Sequence, residues 1–474
     1  MAYMKTHLLL HQHKGAGRVR ALNGGCLAPP LSFENIGSDI RREFAELHLP
    51  ITRLHDAPLE NPGLNLVDVP MIFPLFHADP DNPLNYNFKA TDDYIANCLS
   101  CGTQVFYRLG VSIDHSYNKY VIEPPRDPGK WVEIVSHIIR HYNEGWADGF
   151  HHGIQYWEIW NEAEGISGEG RHLHTMWNAP VESYYEFYSI VSAKLKSRFP
   201  GLKIGGPSNC QWEENGEHRS FGREFIDLCA ERHLPLDFYS IHLYGTDIEW
   251  MSGQFREIRT YLDKKGFEKT ELHCTEWAYM PQFGFSRMRE SPEKKLEVVL
   301  EMKDSNAAAF TAGCLIDWQD QPLDMGYLYT VTGTDFGLFM PVTMLPGKKY
   351  YGMKAFGELA RFYPRRLQIE AEHSEARVFP QNSERREYAF RVLAGGNESG
   401  GVAVLVSLFN YGRQKIEMEF DHPEELEWVT VELLDRTHNL SRILELHRPI
   451  GAFTLDVEEQ SAVLLIKASG RKYQ

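Results

Sequence analysis

The sequence predicts an α/β fold, a (β/α)8 TIM barrel with an accessory C-terminal β-sandwich, and three observations carry that expectation. From about residue 20 to 360, short apolar runs alternate with amphipathic stretches, the pattern of repeated β/α units around a parallel sheet. After Pro364 the pattern changes to period-two alternation, with Ile416, Met418 and Phe420 on one face and Glu417 and Glu419 on the other. The chain has 474 residues, 43% of them hydrophobic and 12% aromatic, enough for a large core. A barrel of roughly 250 residues or more and one smaller domain would use it up. The expected division is 1–14 as a strand joining the sandwich, 15–360 as the barrel and 361–474 as the sandwich.

Eight runs read as barrel strands: Arg20–Cys26, Pro50–His55, Gln104–Leu109, Tyr156–Trp160, Lys203–Gly206, Phe238–Leu243, Glu271–Thr275 and Cys314–Trp318. Helical spacing is plain in Trp131, Ile134, Val135, Ile138, Ile139 and Tyr142, and in Tyr184, Phe187, Tyr188, Val191 and Leu195. Ser291-Pro292 supplies a cap followed by proline at the first helical position, and Pro200-Gly201 stops the helix that ends near Phe199. Sandwich strands are expected at Tyr388–Leu393, Val402–Leu408, Lys415–Phe420, Trp428–Leu434 and Ala462–Ile466, with Thr6–Leu10 as an added strand.

The net charge of −16 argues against a nucleic-acid partner, which would call for a basic stripe, and against an anionic membrane surface. No stretch approaches ~20 apolar residues, and Leu8–Leu10 is too short for a signal-peptide core, so a cytoplasmic location is expected. Seven scattered cysteines read as free thiols, and Cys98 and Cys101, a lone C-x-x-C in an amphipathic pattern, as a helical pair rather than a zinc or redox site. The histidine pairs His11/His13, His151/His152 and His172/His174 read as exposed loops without matching acidic partners. No metal and no cofactor is expected.

Two strand ends carry chemistry. Tyr156-Trp157-Glu158-Ile159-Trp160-Asn161-Glu162 closes the fourth strand on an Asn-Glu pair, and Glu271-Leu272-His273-Cys274-Thr275-Glu276-Trp277 closes the seventh on a second Glu. Barrel enzymes keep their active sites at these C-terminal strand ends. Hydrolysis of a glycoside with retention needs one carboxylic acid to protonate the leaving oxygen and one carboxylate to attack, about 5–5.5 Å apart. Strands four and seven face each other across a barrel mouth and can supply that pair. A single strand-end Glu is most often a surface salt bridge; the flanked pair is the signal. Glu158, deeper in the same strand, reads as a structural ion pair, and Glu164 as a loop charge or sugar contact.

W-N-E closing strand four and T-E-W closing strand seven resemble the acid/base and nucleophile motifs of the large (β/α)8 glycosidase clan A, and of glycoside hydrolase family 39 in particular, known for β-xylosidases and α-L-iduronidases. The resemblance implies Glu162 as acid/base and Glu276 as nucleophile. It implies Arg53, His55 and Asp56 after strand two as sugar-binding groups, with Arg53 hydrogen-bonded to the nucleophile. It implies His242 and Tyr244 in Phe238-Tyr239-Ser240-Ile241-His242-Leu243-Tyr244 as contacts to nucleophile and sugar, and Asn161 as a partner of the sugar 2-hydroxyl. It places Trp318 as an aromatic floor under the sugar, and Asp320 nearest to the acidic ligand of the family's xylosidases. The chain departs from the family in Glu162-Ala163, where proline is common, and in Trp277-Ala278-Tyr279 after the nucleophile, which leaves the sugar open.

The expected function is an exo-acting retaining glycosidase of β-xylosidase type, acting on an oligosaccharide or small glycoside and compatible with a homo-oligomer. Long insertions at 56–84 and 110–128, including Asp114, His115, Ser116 and Tyr117, and Trp177 further on, would wall the pocket. The alternatives are the same fold and mechanism on an arabinoside, galactoside or uronide, or a carbohydrate-binding protein without catalysis.

Overall fold

The structure is a computed structural model that describes residues 3–29, 39–56, 65–113, 121–164, 176–210, 212, 220–373 and 388–470. After β1 (Met4–Arg18), eight parallel strands close a barrel in sequence order. They are β2 (Asn23–Cys26), β3 (Ile51–Leu54), β4 (Gln104–Leu109), β5 (Tyr156–Ile159), β6 (Lys203–Asn209), β7 (Phe238–Gly245), β8 (Glu271–Tyr279) and β9 (Met325–Leu328). The first seven expected runs fall on β2 to β8. Helices on the outside turn their apolar stripes inward: Pro128–Asn143 buries Trp131, Ile134, Val135, Ile138, Ile139 and Tyr142, and is capped by Asp127, whose side chain accepts from the Lys130 amide at 3.0 Å.

The eighth strand is not Cys314–Trp318. That segment ends a helix, Ser305–Asp317, followed by a 3-10 turn at Trp318–Asp320, and the strand is Met325–Leu328. The cause is double burial. Every residue from Ala307 to Ile316 is buried, because the helix lies between the barrel and the second sheet, where Ser407 Oγ donates to the Ala309 carbonyl at 2.6 Å. A helix covered on both sides is apolar all round and shows no 3.6-residue stripe to tell it from a buried strand.

The second sheet comprises β1 with β10 (Arg365–His373), β11 (Ala389–Gly396), β12 (Val402–Phe409), β13 (Gln414–Phe420), β14 (Trp428–Leu434), β15 (Asn439–His447), β16 (Phe453–Val457) and β17 (Ala462–Ser469). Its order is β15-β14-β17-β12-β11-β10-β1-β13-β16, with β1 antiparallel to β10 and parallel to β13. The sheet is sandwich-like. Leu8, Leu10, Val404, Val406, Ile416, Met418, Val431 and Leu464 form its own core, while Ala403, Leu405 and Phe409 on the other face of β12 join the barrel's core. Central β12 is thus buried on both faces and reads as an unbroken apolar run.

His11 and His13 lie on β1, not in a loop, and have acidic partners: His11 contacts Glu370 at 2.8 Å and Asp421 at 3.1 Å, and His13 contacts Glu425 at 3.0 Å. His172 and His174 lie outside the described residues. All seven cysteines are free, and Cys98 is buried on the helix Lys89–Ser100. No helix among the described residues is long and apolar enough to cross a membrane.

Rings from β4, β5, β7, β8 and β9 plug the barrel. Phe106, Tyr156, Phe238, His273 and Tyr327 pack with centroids 5.1 to 5.9 Å apart. The next inward positions along β3, β4, β5 and β7 are Arg53, Arg108, Glu158 and, further on, His242, so charge begins where the apolar plug ends.

Candidate active site

Arg53 organises the barrel mouth. Its buried guanidinium donates from Nε to Glu158 at 2.7 Å, from Nη1 to Glu276 at 2.9 Å, and from Nη2 to Asn161 Oδ1 at 2.8 Å and Ser208 Oγ at 2.9 Å. One planar fork therefore ties the ends of β5, β6 and β8 to β3, a geometry that lysine could not reproduce. The carboxylates of Glu158 and Glu276 hold Arg53 firmly charged despite its burial.

Glu276 reaches the mouth through a β-bulge. His273 points inward, and simple alternation would send Thr275 inward and Glu276 outward. Between β7 and β8 the pairing steps from Ile241↔Cys274 to His242↔Glu276, so Thr275 is the extra residue and Glu276 takes the inward position. There it accepts from the Tyr244 hydroxyl at 2.5 Å and lies 3.4 Å from His55 Nε2. Burial pushes the Glu276 carboxyl above the usual carboxylate range, with Glu162 and Asp56 adding to it, while His242 and Arg53 pull the other way.

Glu162 follows β5 in a turn where Trp160 has φ 72° and Glu162 φ 47°, left-handed conformations that non-glycine residues adopt at some energetic cost. The Glu162 amide donates to the Ser208 carbonyl at 2.9 Å and its carbonyl accepts from the Met176 amide at 2.9 Å, contacts that fix the turn. Its Oε1 lies 2.8 Å from His242 Nδ1. The same nitrogen lies 3.6 Å from Glu276 Oε2, so one imidazole touches both carboxylates. Burial alone would lower the His242 pKa, but Glu276 and Glu162 raise it.

His55 Nδ1 accepts from Arg108 Nε at 2.9 Å and its Nε2 faces Asp56 at 3.2 Å; Asp56 in turn accepts from the Ile113 amide at 2.9 Å and the Tyr329 hydroxyl at 2.5 Å. Arg53, His55, Asp56, Asn161, Glu162, His242, Tyr244 and Glu276 are thus drawn into one network.

Trp318 and Asp320 are not part of it. Trp318 is fully buried outside the barrel wall, edge-on to Trp277 at 4.6 Å and to Phe255 at 5.3 Å. Asp320 is exposed and bonded to Arg366 at 2.6 and 2.7 Å. Both were placed by the misassigned eighth strand. The residue at the true end of strand eight is Tyr329, whose ring lies 6.2 Å from Tyr244 and 5.4 Å from Phe336. Trp177 packs behind β5 against Trp160, Tyr184 and Phe187, and Asp114, His115, Ser116 and Tyr117 lie outside the described residues.

Ser208 and Cys210 are functional-site residues that the sequence reading missed. β6, expected as Lys203–Gly206, continues through Pro207 to Asn209. Ser208 Oγ contacts Asn161 Oδ1 at 3.1 Å and His242 Nε2 at 2.7 Å. Cys210 Sγ donates to Glu162 Oε1 at 3.0 Å, and its amide to Glu164 Oε1 at 2.5 Å. Burial of the Glu164 carboxyl, with Glu162 beside it, pushes its pKa up to about 7.

Residues 65–282, which include Asn161, Glu162, His242, Tyr244 and Glu276, match the model of glycosyl hydrolases family 39. A β-xylosidase of Geobacillus stearothermophilus is 27% identical over 227 residues, 41% of this chain and 42% of that protein. One of Caldicellulosiruptor saccharolyticus is 24% identical over 266 residues, 53% of this chain and 50% of that protein. The chain spans about half the length of the curated relatives it matches. Among solved structures, a glucosidase from Croceicoccus marinus superposes with a TM-score of 0.74 at 23% identity, covering 99% of both chains. A monomeric β-xylosidase from Caulobacter crescentus superposes at 0.68 and 15% identity, covering 98% of this chain and 99% of that one, and both share the fold. By its matched barrel segment and these relatives, the chain is similar to glycosyl hydrolases family 39.

Proposed function

We propose that the chain is a retaining exo-glycosidase that removes a terminal xylose from an oligosaccharide or small glycoside, with Glu276 as nucleophile and Glu162 as acid/base. One observation carries the reading: His242 Nδ1 lies 2.8 Å from Glu162 and 3.6 Å from Glu276. Their nearer oxygens cannot be further apart than the sum of those distances. That upper bound admits the ~5–5.5 Å of a retaining pair, and one imidazole touching both carboxylates keeps them close together, which supports the double displacement over the roughly 6.5–9.5 Å arrangement of inverting enzymes.

In the first step Glu276 Oε2 attacks the anomeric carbon while Glu162 gives its proton to the leaving oxygen. Arg53 and Tyr244 hold Glu276 ionised and aimed, and release it as its charge passes into the ester bond. In the second step Glu162, now a carboxylate, takes a proton from water, which attacks the anomeric carbon and frees Glu276. With Ser208 Oγ donating to Asn161, its contact with His242 Nε2 uses the Nε2 proton, and Nδ1 is left to share a proton with Glu162. Among the described residues the buried Asn161 Nδ2 has no hydrogen-bond partner, and the sugar 2-hydroxyl would supply one. The rings of Tyr329, Phe336 and Phe285 each stand 5.7 to 6.2 Å from that of Tyr244 beside Glu276, and the cluster suits the apolar face of a sugar.

The test is hydrolysis of a panel of nitrophenyl glycosides by wild type, Glu162→Ala and Glu276→Ala, with azide rescue. Cleavage of the β-xyloside, loss in both variants and glycosyl azides of opposite anomeric configuration are expected. An active Glu276→Ala, or preference for another sugar, overturns the mechanism or the substrate respectively.

A further inference from the structure

We propose that Cys210, His242 and Glu162 form a site for a divalent transition metal of borderline softness, Zn2+ or Co2+, whose occupation shuts the barrel mouth. Cys210 Sγ lies 3.0 Å from Glu162 Oε1 and 3.9 Å from His242 Nδ1, and that nitrogen lies 2.8 Å from the same Oε1. The three donor atoms all fall within 4.8 Å of one another. Bonds of about 2.0–2.3 Å to nitrogen, oxygen and sulfur put tetrahedral ligands roughly 3.3–3.7 Å apart, so small side-chain rotations seat the ion. Thiolate, imidazole and carboxylate together suit zinc or cobalt rather than magnesium or calcium.

The surroundings favour an ion here. His242 is held from behind by Ser208 Oγ at 2.7 Å, which is itself held by Arg53 at 2.9 Å, the outer support that orients a metal-binding imidazole. Glu164, Glu276 and Asp56 stand in the same mouth, and among the described residues Arg53 is the guanidinium that reaches Glu276, so the local field favours a cation. Cys210 is exposed and gives the ion a way in. On binding, the Cys210 thiol proton and the proton shared by Glu162 and His242 Nδ1 pass to solvent, and the metal takes lone pairs from the sulfur, Nδ1 and the Glu162 carboxylate, leaving a fourth position to water. Glu162 can then no longer protonate a leaving group. That inhibitory consequence rests on Glu162 as acid/base; the metal site itself does not.

A second group able to hold a metal among the described residues, His13 on β1 with His422 and Glu425 in the turn after β13, contains no sulfur, so spectroscopy separates the two. Titration of the full chain with Co2+ should give a near-ultraviolet sulfur-to-cobalt charge-transfer band in wild type and His13→Ala, and none in Cys210→Ser. Zn2+ should inhibit hydrolysis of nitrophenyl β-xyloside competitively and reversibly on chelation. Because loss of an outer partner alone weakens a metal site about 10–100-fold, loss of the sulfur should raise the zinc needed at least tenfold, relative to that variant's own metal-free rate. In wild type, Zn2+ should also protect Cys210 from iodoacetamide, read by peptide mass spectrometry without any variant. A band that survives in Cys210→Ser, or a thiol alkylated equally with and without zinc, overturns the site. If no glycoside is cleaved, the cobalt band and the protection still decide it, so its failure and that of the glycosidase reading are seen separately.

Discussion

The Tyr244 hydroxyl donates to Glu276 Oε2 at 2.5 Å from the neighbouring strand. A hydrogen bond to a charged group is worth about 1.5–3 kcal/mol. Tyr244→Phe should therefore lower kcat for the nitrophenyl xyloside roughly 10- to 100-fold, and its melting temperature should stay near that of wild type because the ring contacts with Phe285 and Phe336 remain. Initial rates and a thermal melt check both halves. A rate within twofold of wild type would remove Tyr244 from the support of Glu276.

Arg53 serves two carboxylates with different roles, and the two can be separated. Arg53→Met strands the fully buried Glu158 without its partner, which should destabilise the fold by about 3–5 kcal/mol and abolish hydrolysis. Adding Glu158→Gln removes the stranded charge. The double variant should regain much of the stability in urea unfolding yet stay inactive, since Glu276 still lacks its cationic donor. Recovered activity would contradict the role given to Arg53.

The residues explain why some of this was legible in the sequence and some was not. Seven barrel strands are short apolar runs flanked by helices with one buried stripe, and such patterns survive in sequence. The helix Ser305–Asp317 has no polar face, so it passed for a strand and carried Trp318 and Asp320 to the mouth with it. The strand ends at Glu162 and Glu276 could be found from their motifs, but the bulge at Thr275 that turns Glu276 inward leaves no mark in an alternation count. Ser208, Cys210 and Tyr329 lie past a proline or a misplaced strand, where no periodicity points to them.

Two buried lysines hold the segment that carries Phe336. Lys303 Nζ donates to the carbonyls of Thr334 at 2.8 Å, Gly337 at 2.6 Å and Phe339 at 3.0 Å, and Lys349 Nζ donates to that of Phe336 at 2.5 Å. Burial pulls the Lys303 pKa down to about 7. Lys303→Met leaves three carbonyls without their donor and should destabilise the protein by ~2–4 kcal/mol. Because Phe336 stands 6.0 Å from Tyr244 rather than at a reacting atom, KM should rise several-fold more than kcat falls. Steady-state kinetics on the xyloside decide this; a fall in kcat alone would show that the loop does not shape binding.

Glu271 tests the opposite end of the same strand. It accepts from the Tyr156 hydroxyl at 2.9 Å and pairs with His273 and Lys203, each at 3.1 Å. Burial opposes its ionisation, but His273, Lys203 and Tyr156 outweigh that and pull its pKa down to about 2. A folded pKa below the unfolded value of about 4.3 stabilises the protein in full above that pH, and the contribution is lost as pH falls from there towards 2. At about 1.4 kcal/mol per pKa unit, and with the side chain a quarter exposed, it amounts to ~2–3 kcal/mol. Glu271→Gln should unfold at lower urea than wild type at pH 6, and the gap should narrow as the pH falls below about 4.3 and close only towards 2. Its kcat at pH 6 should match wild type, because Glu271 starts β8 at the closed end of the barrel and Glu276 lies at the mouth. A stability gap that stays constant across this range would mean that Glu271 acts through packing and not through its charge.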